Sequence, residues 1–298
     1  MPFPFAWVVF TLTAVVAQTA RNAVQRSLTG PLGASGSAQI RFLFGVPFAC
    51  LSLLCVWRLE GIGLPAFERA SFLWSLEGAA TQMIATGLML AAMRRRTFVT
   101  AIAYTKTEPI QVAVYGYAVL GDRLSSAGVA AILAATCGVM IMSWPRRAER
   151  KEPVWIAVVL GLASGGFFAL SSIGFRAAIL SLRTPSFVLA ATTILAFGLL
   201  MQSLASGLWL TIMDRPLLKA IARAWRPCLA AGALGAFASQ FWFLAFALTS
   251  AAQVRTLGVV EVALAHFVSR RVIKEGVGRR ELAGMVLIAA SVILIVNG

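Results

Sequence analysis

Residues 101–122 read AIAYTKTEPIQVAVYGYAVLGD, and residues 253–275 read QVRTLGVVEVALAHFVSRRVIKE. Each is a hydrophobic segment with one glutamate inside it, Glu108 in the first and Glu261 in the second. A second acid follows each at fourteen residues, Asp122 and Glu275. An ionised side chain near the centre of a bilayer costs roughly 3 kcal/mol on insertion scales. A chain that carries this cost twice, at matching places in its two halves, points to an internal repeat that uses the acids.

The rest of the chain places those segments in a membrane. It has 298 residues, 59% apolar and 12% charged, with mean hydropathy +0.85. Soluble domains carry about 25% charged residues. Runs long enough to span a hydrocarbon core at about 1.5 Å per residue alternate with short basic loops. The expected fold is all-α: an integral membrane protein of ten transmembrane helices in two inverted five-helix repeats. The spans are expected at 5–25, 36–57, 70–92, 97–119 and 124–144, then at 153–175, 185–211, 227–248, 251–269 and 281–297. The first repeat is residues 1–144 and the second 154–298. The charged stretch PRRAERKEP, 145–153, joins them. Tandem halves with an odd number of helices must be inverted relative to each other, an arrangement that recurs in transporters. Residues 1–20 have the length of a signal peptide but lack a positive n-region, so they are read as part of the first span.

Loop charge gives an orientation. Loops after the odd-numbered spans hold seventeen cations and those after the even-numbered spans five. The positive-inside rule puts the odd loops in the cytoplasm and both termini outside. Arginine outnumbers lysine 22 to 4, a composition that suggests a bacterial inner membrane. The net charge of +15 is spread through loops beside anionic headgroups. It forms no basic face, so nucleic acid is not expected as a partner. Cys50, Cys55, Cys137 and Cys228 form no C-x-x-C and read as small hydrophobes. A single histidine excludes a histidine-based metal cluster, and no metal or cofactor is expected. That histidine, with no G-x-S-x-G and no H-E-x-x-H, also argues against an intramembrane enzyme.

Span four is the most informative. Tyr104, Glu108, Gln111 and Tyr115 recur at i, i+4, i+7 and i+11, one face of a helix. Such a face must meet protein or a water-filled cavity. Pro109 has no N–H to give the Thr105 carbonyl, so a kink bordering a site is expected here. Lys106 lies about 160° around the helix from Glu108 at about 100° per residue. It needs another partner, for which Glu77 on span three is the candidate. In span nine, Glu261 shares a face with the small residues Gly258 and Ala265. Arg255 and His266 share another, with Arg255 placed to snorkel to the headgroups and His266 read as a packed neutral ring. Span one carries Gln18, Arg21, Asn22 and Gln25. Gln240 and Trp242 in span eight offer an amide and an aromatic ring to an organic solute. Candidate substrate- or proton-binding residues are therefore Glu108, Glu261, Tyr104, Gln111, Tyr115, Lys106, Gln240, Trp242, Arg21 and Asn22. Burial disfavours the charged form of a carboxyl, so either glutamate is a candidate proton carrier, or else a seat for the cationic part of a substrate. Gly161 with Gly165 and Gly232 with Ala236 are small-residue motifs for close helix crossing.

With these residues in view, the chain resembles the drug/metabolite transporter superfamily in its ten-helix EamA-type branch. The resemblance covers nearly the whole chain. It rests on the two five-span halves, on IRFLFGVPFACLSLL (40–54) as an Arg-bearing second helix, and on TEPIQVAVYGYAVLGDRLS and GVVEVALAHFVSRRVIKE as the ends of the halves. It implies export or exchange of small organic metabolites such as amino acids, by alternating access around a central cavity. A non-transporting scaffold or lipid scramblase is the alternative, and monomer and homodimer both stay open. Two features depart from the family's habit. Its members place both termini in the cytoplasm, and many carry proline where Val262 stands, so a kink in span nine has no proline to cause it.

Overall fold

The computed structural model describes residues 5–95, 104–142, 154–264 and 279–297. Among the described residues every regular element is helical. The helices are α1 (Ala6–Glu60), α2 (Arg69–Arg95), α3 (Glu108–Leu120), α4 (Ser126–Met142), α5 (Val154–Ser181), α6 (Phe187–Met213), α7 (Arg215–Arg223), α8 (Trp225–Leu248), α9 (Ala251–Gly258) and α10 (Arg279–Asn297). Among the described residues four stretches are long and apolar enough to cross a bilayer: Ser27–Glu60, Val158–Ser181, Phe187–Met213 and Trp225–Leu248. Ser126–Met142 and Leu282–Asn297 are shorter apolar helices. The chain is thus a membrane-embedded α-helical protein.

Two compact units emerge, and each draws on both sequence halves. The first comprises residues 1–80 and 174–248, the second residues 81–173 and 249–298.

In the first unit, α1 is two helices joined at Gly33, whose φ of 68° and ψ of 173° are not helical. Gln25 Nε2 donates to the Ser37 carbonyl (2.8 Å), and Ser37 Oγ donates to the Gln25 carbonyl (2.7 Å). Twelve residues of unbroken helix would rise about 18 Å, so the chain reverses at Gly33. The two limbs correspond to spans one and two, with the expected loop between them kept helical on both sides of one glycine. Helix α1 packs against α8 and α6. They approach closely at Gly232 of α8, where a Cβ would lie 2.5 Å from the Phe44 backbone. Phe175 fits a notch left by Gly78 and Gly198, where added Cβ atoms would meet its ring at 3.0 and 2.9 Å, and it packs on Phe243 with ring centroids 4.7 Å apart.

Between α6 and α8 the sequence reading expected a loop, and the structure has the nine-residue helix α7. Asp214 caps it by accepting from Leu217 N (3.0 Å). Ile221 is buried with Leu28, Leu32, Ile40, Leu210 and Cys228.

In the second unit, α4 packs against α10 through facing glycines. A Cβ on Gly138 would lie 2.8 Å from the Gly284 carbonyl, and one on Gly284 2.6 Å from that of Gly138. Ala135, Val139, Val259 and Ile288 fill the adjoining core. Helix α3 ends at Gly121, whose positive φ (68°) lets Gly121 N reach Tyr117 O and Asp122 N reach Gly116 O. The first is the 5→1 bond of an αL termination with glycine past the helix end, which accounts for the Leu-Gly-Asp at the exit.

Candidate functional site

The two glutamates occupy equivalent local positions. Residues 104–105 are helical, 106–107 form a turn, and α3 begins at Glu108 with Pro109 in its first turn. A proline there gives up an N–H that has no intrahelical partner in any case. The sequence reading expected Pro109 to kink one continuous helix over 97–119; instead the helix stops and restarts at the glutamate. Helix α9 likewise ends at Gly258, Val259 is a turn, and 260–264 is helical again. A break therefore precedes Glu261 although no proline follows it. Gly258, read from sequence as a small packing residue, marks it. Each carboxylate sits in the first turn after a break, where the positive end of the helix dipole favours negative charge.

The cations beside those breaks pair crosswise. Lys106 Nζ lies 3.3 Å from Glu261 Oε2, so the expected Lys106–Glu77 pair gives way to one with the other glutamate. Arg255 Nε lies 3.0 Å from Glu108 Oε1 and also donates to Ser172 Oγ at 2.9 Å. Arg255 does not snorkel to the headgroups; its guanidinium is held inside by Glu108 and Ser172. Ser172 Oγ is itself 2.9 Å from the Phe168 carbonyl and 3.5 Å from Glu108 Oε1. Glu108 is 7% exposed and Glu261 9%. These four side chains carry two positive and two negative charges, so each buried carboxylate is compensated by the opposite segment.

The polar stripe of span four survives in part. Gln111 Nε2 donates to Thr107 Oγ1 (3.1 Å) and to the Leu162 carbonyl (3.3 Å). Gln111 and Tyr115 lie against Gly166 of α5, where a Cβ would fall 2.6 Å from Gln111 Oε1 and 3.6 Å from the Tyr115 hydroxyl. At Gly165 a Cβ would meet the Thr105 carbonyl at 2.9 Å. Tyr104 contributes its carbonyl, which accepts from Thr107 Oγ1 (2.8 Å). The second unit thus gathers Tyr104, Lys106, Glu108, Gln111, Tyr115 and Glu261. Reading by sequence alone left Ser172 out and set Arg255 aside. Ala265, His266 and Glu275 lie outside the described residues.

The remaining candidates fall in the first unit. Arg21 donates to Asn22 Oδ1 from Nη2 (2.9 Å) and Nε (3.3 Å). Trp242 Nε1 donates to Gln18 Oε1 (3.1 Å). The side chains of Arg21 and Arg41 both flank Gly235 of α8. Gln240 donates to Thr192 Oγ1 (2.8 Å) and borders an apolar groove of about 680 Å³ lined by Phe48, Leu51, Phe237, Phe241 and Leu244.

No family model matches the sequence, and no curated protein is similar to it. A solved structure described only as "Crystal structure of protein" superposes with a TM-score of 0.76. It covers 97% of this chain and 94% of its own at 15% identity. At that identity the likeness shows a shared fold and nothing about activity.

Proposed function

We propose that the chain is a secondary transporter of small organic metabolites, amino acids among them, of the EamA type in the drug/metabolite transporter superfamily. In this reading it has ten spans in two inverted five-helix repeats and exports or exchanges its solute by alternating access, from a bacterial inner membrane with both termini outside. The observation that carries the proposal is the crossed pairing of Lys106 with Glu261 and Arg255 with Glu108 at two broken helices. Ionisable groups inside membrane helices mark solute and proton paths, and interrupted helices border transporter sites. A charged solute, or a proton taken up by either glutamate, would displace an internal partner rather than face an empty charge. That exchange is the chemistry a carrier needs: binding strong enough to select and reversible enough to release.

Uptake into proteoliposomes, with and without an imposed pH gradient, tests this. Transport should fall in both Glu108→Gln and Glu261→Gln. Wild-type rates in both variants would remove the glutamates from the mechanism. Stimulation by the gradient in wild type, lost in one of the two, would identify the proton carrier.

A further inference from the structure

We propose that α7 is a binding site for anionic phospholipid headgroups. Arg215, Lys219 and Arg223 recur at i, i+4 and i+8, so they form one stripe along the helix, and all three are exposed. The opposite face is anchored: Ile221 is buried, and Leu217 and Leu218 pack on the same core. A Cβ on Gly36, just past the Gly33 turn, would lie 2.8 Å from Leu217 Cδ1. The helix therefore lies against that turn with its orientation fixed and the cations facing away from the core. Arg215 is held further by donating Nε to the Thr211 carbonyl (2.8 Å). From residue 187 to 248 the chain has a single acid, Asp214, and its carboxylate is turned to the backbone as the cap.

The surroundings identify the partner as lipid. Helix α7 joins α6 to α8, both long and apolar enough to span, so it lies at a membrane surface. Trp209 (45% exposed) and Trp225 (50% exposed) flank it, as aromatic residues do at the headgroup level. Arg226 stacks on Trp225 with its guanidinium carbon 5.4 Å from the ring centroid. A basic, amphipathic, surface-lying helix beside hydrocarbon-facing side chains is complementary to anionic headgroups. At the other end of this unit Arg183 is paired with Glu68 (2.8 Å), and Arg58 lies over the Trp57 ring, its guanidinium carbon 5.3 Å from the centroid.

The test is native mass spectrometry of the full chain released from vesicles of equal parts phosphatidylglycerol and phosphatidylcholine. Wild type should retain phosphatidylglycerol preferentially. Each cation contributes roughly fivefold to affinity for an anionic surface, so R215Q/K219Q/R223Q should lose on the order of a hundredfold, and R58Q/R183Q should keep the preference. Undiminished enrichment in the triple variant, or equal loss in R58Q/R183Q, overturns the proposal. If the triple variant does not fold, wild type decides: its bound phosphatidylglycerol should fall steeply with added salt, and salt-insensitive retention overturns the proposal.

Discussion

Replacing Arg255 by glutamine strands Glu108 in the membrane. At 3.0 Å and an effective dielectric near 20, the Coulomb attraction between the two groups is about 5.5 kcal/mol. For Lys106 and Glu261 at 3.3 Å it is about 5 kcal/mol. Desolvation offsets much of either figure, so the whole pair contributes little net stability. Removing one partner leaves the other buried alone and costs about 3–5 kcal/mol. The Arg255–Glu108 pair is the shorter and the more enclosed, with side chains 17% and 10% exposed against 22% and 12% for Lys106 and Glu261. R255Q should therefore destabilise more than K106Q. The double variant E108Q/R255Q should recover most of the loss, because it removes the stranded charge. Thermal stability in detergent, followed by size exclusion after heating, gives all four values of the double-mutant cycle. The reasoning fails if E108Q/R255Q is no more stable than R255Q, or if K106Q is the more damaging single change.

Ser172→Ala removes one acceptor from Arg255 while leaving both charges in place. It should cost about 0.6–2 kcal/mol, the range for hydrogen bonds between membrane helices, and a loss equal to that of R255Q in the same assay would contradict the pairing. Gly138→Leu drives a side chain into the Gly284 carbonyl and should cost about 1–3 kcal/mol or more, read as a lower melting temperature. Gly33→Ala forces a methyl-bearing residue to φ 68°, ψ 173°, a region close to glycine-only, at about 1–3 kcal/mol. A unique cysteine at Lys219 should react with an impermeant thiol reagent in inverted vesicles and not in intact cells if the proposed orientation, read from loop charge, holds; labelling in intact cells reverses the orientation.

The helical character of this chain was legible because hydropathy is read one segment at a time. Boundaries of α2, α4 and α6 fall within a few residues of the expected spans, as they depend only on where apolar runs stop. The 160° offset of Lys106 from Glu108 keeps those two apart, as the structure has them, but it does not name the partner. That partner, Glu261, sits 155 residues away, where only tertiary structure can bring it. Pro109 announced the first break. The second has no proline, and its signal, Gly258, has two meanings in a membrane helix, close packing or interruption. Helix α7 was readable and missed: Asp214 as cap, Pro216 in the first turn, and cations opposite Leu217 and Ile221 form a complete amphipathic pattern. Counting those cations as loop charge hid their spacing.

Crossed pairing has a mechanical consequence that two pairs within one segment would lack. Each segment supplies a cation at or before its break and a carboxylate just after it, and takes both partners from the other segment. A displacement of α9 along α3 then disturbs Arg255–Glu108 and Lys106–Glu261 together, while bending within either segment disturbs only one. Parting both pairs would strand four buried charges, against the single one whose cost is about 3–5 kcal/mol, so the two pairs are tied to a common register. In the proposed carrier, protonation of one glutamate, or capture of its cation by a solute, would release one pair and leave the other to hold the register. Helix breaks just ahead of both carboxylates put each charge near a helix N-terminus that favours it, so in such a carrier the costly acids and the interrupted helices would serve one and the same step.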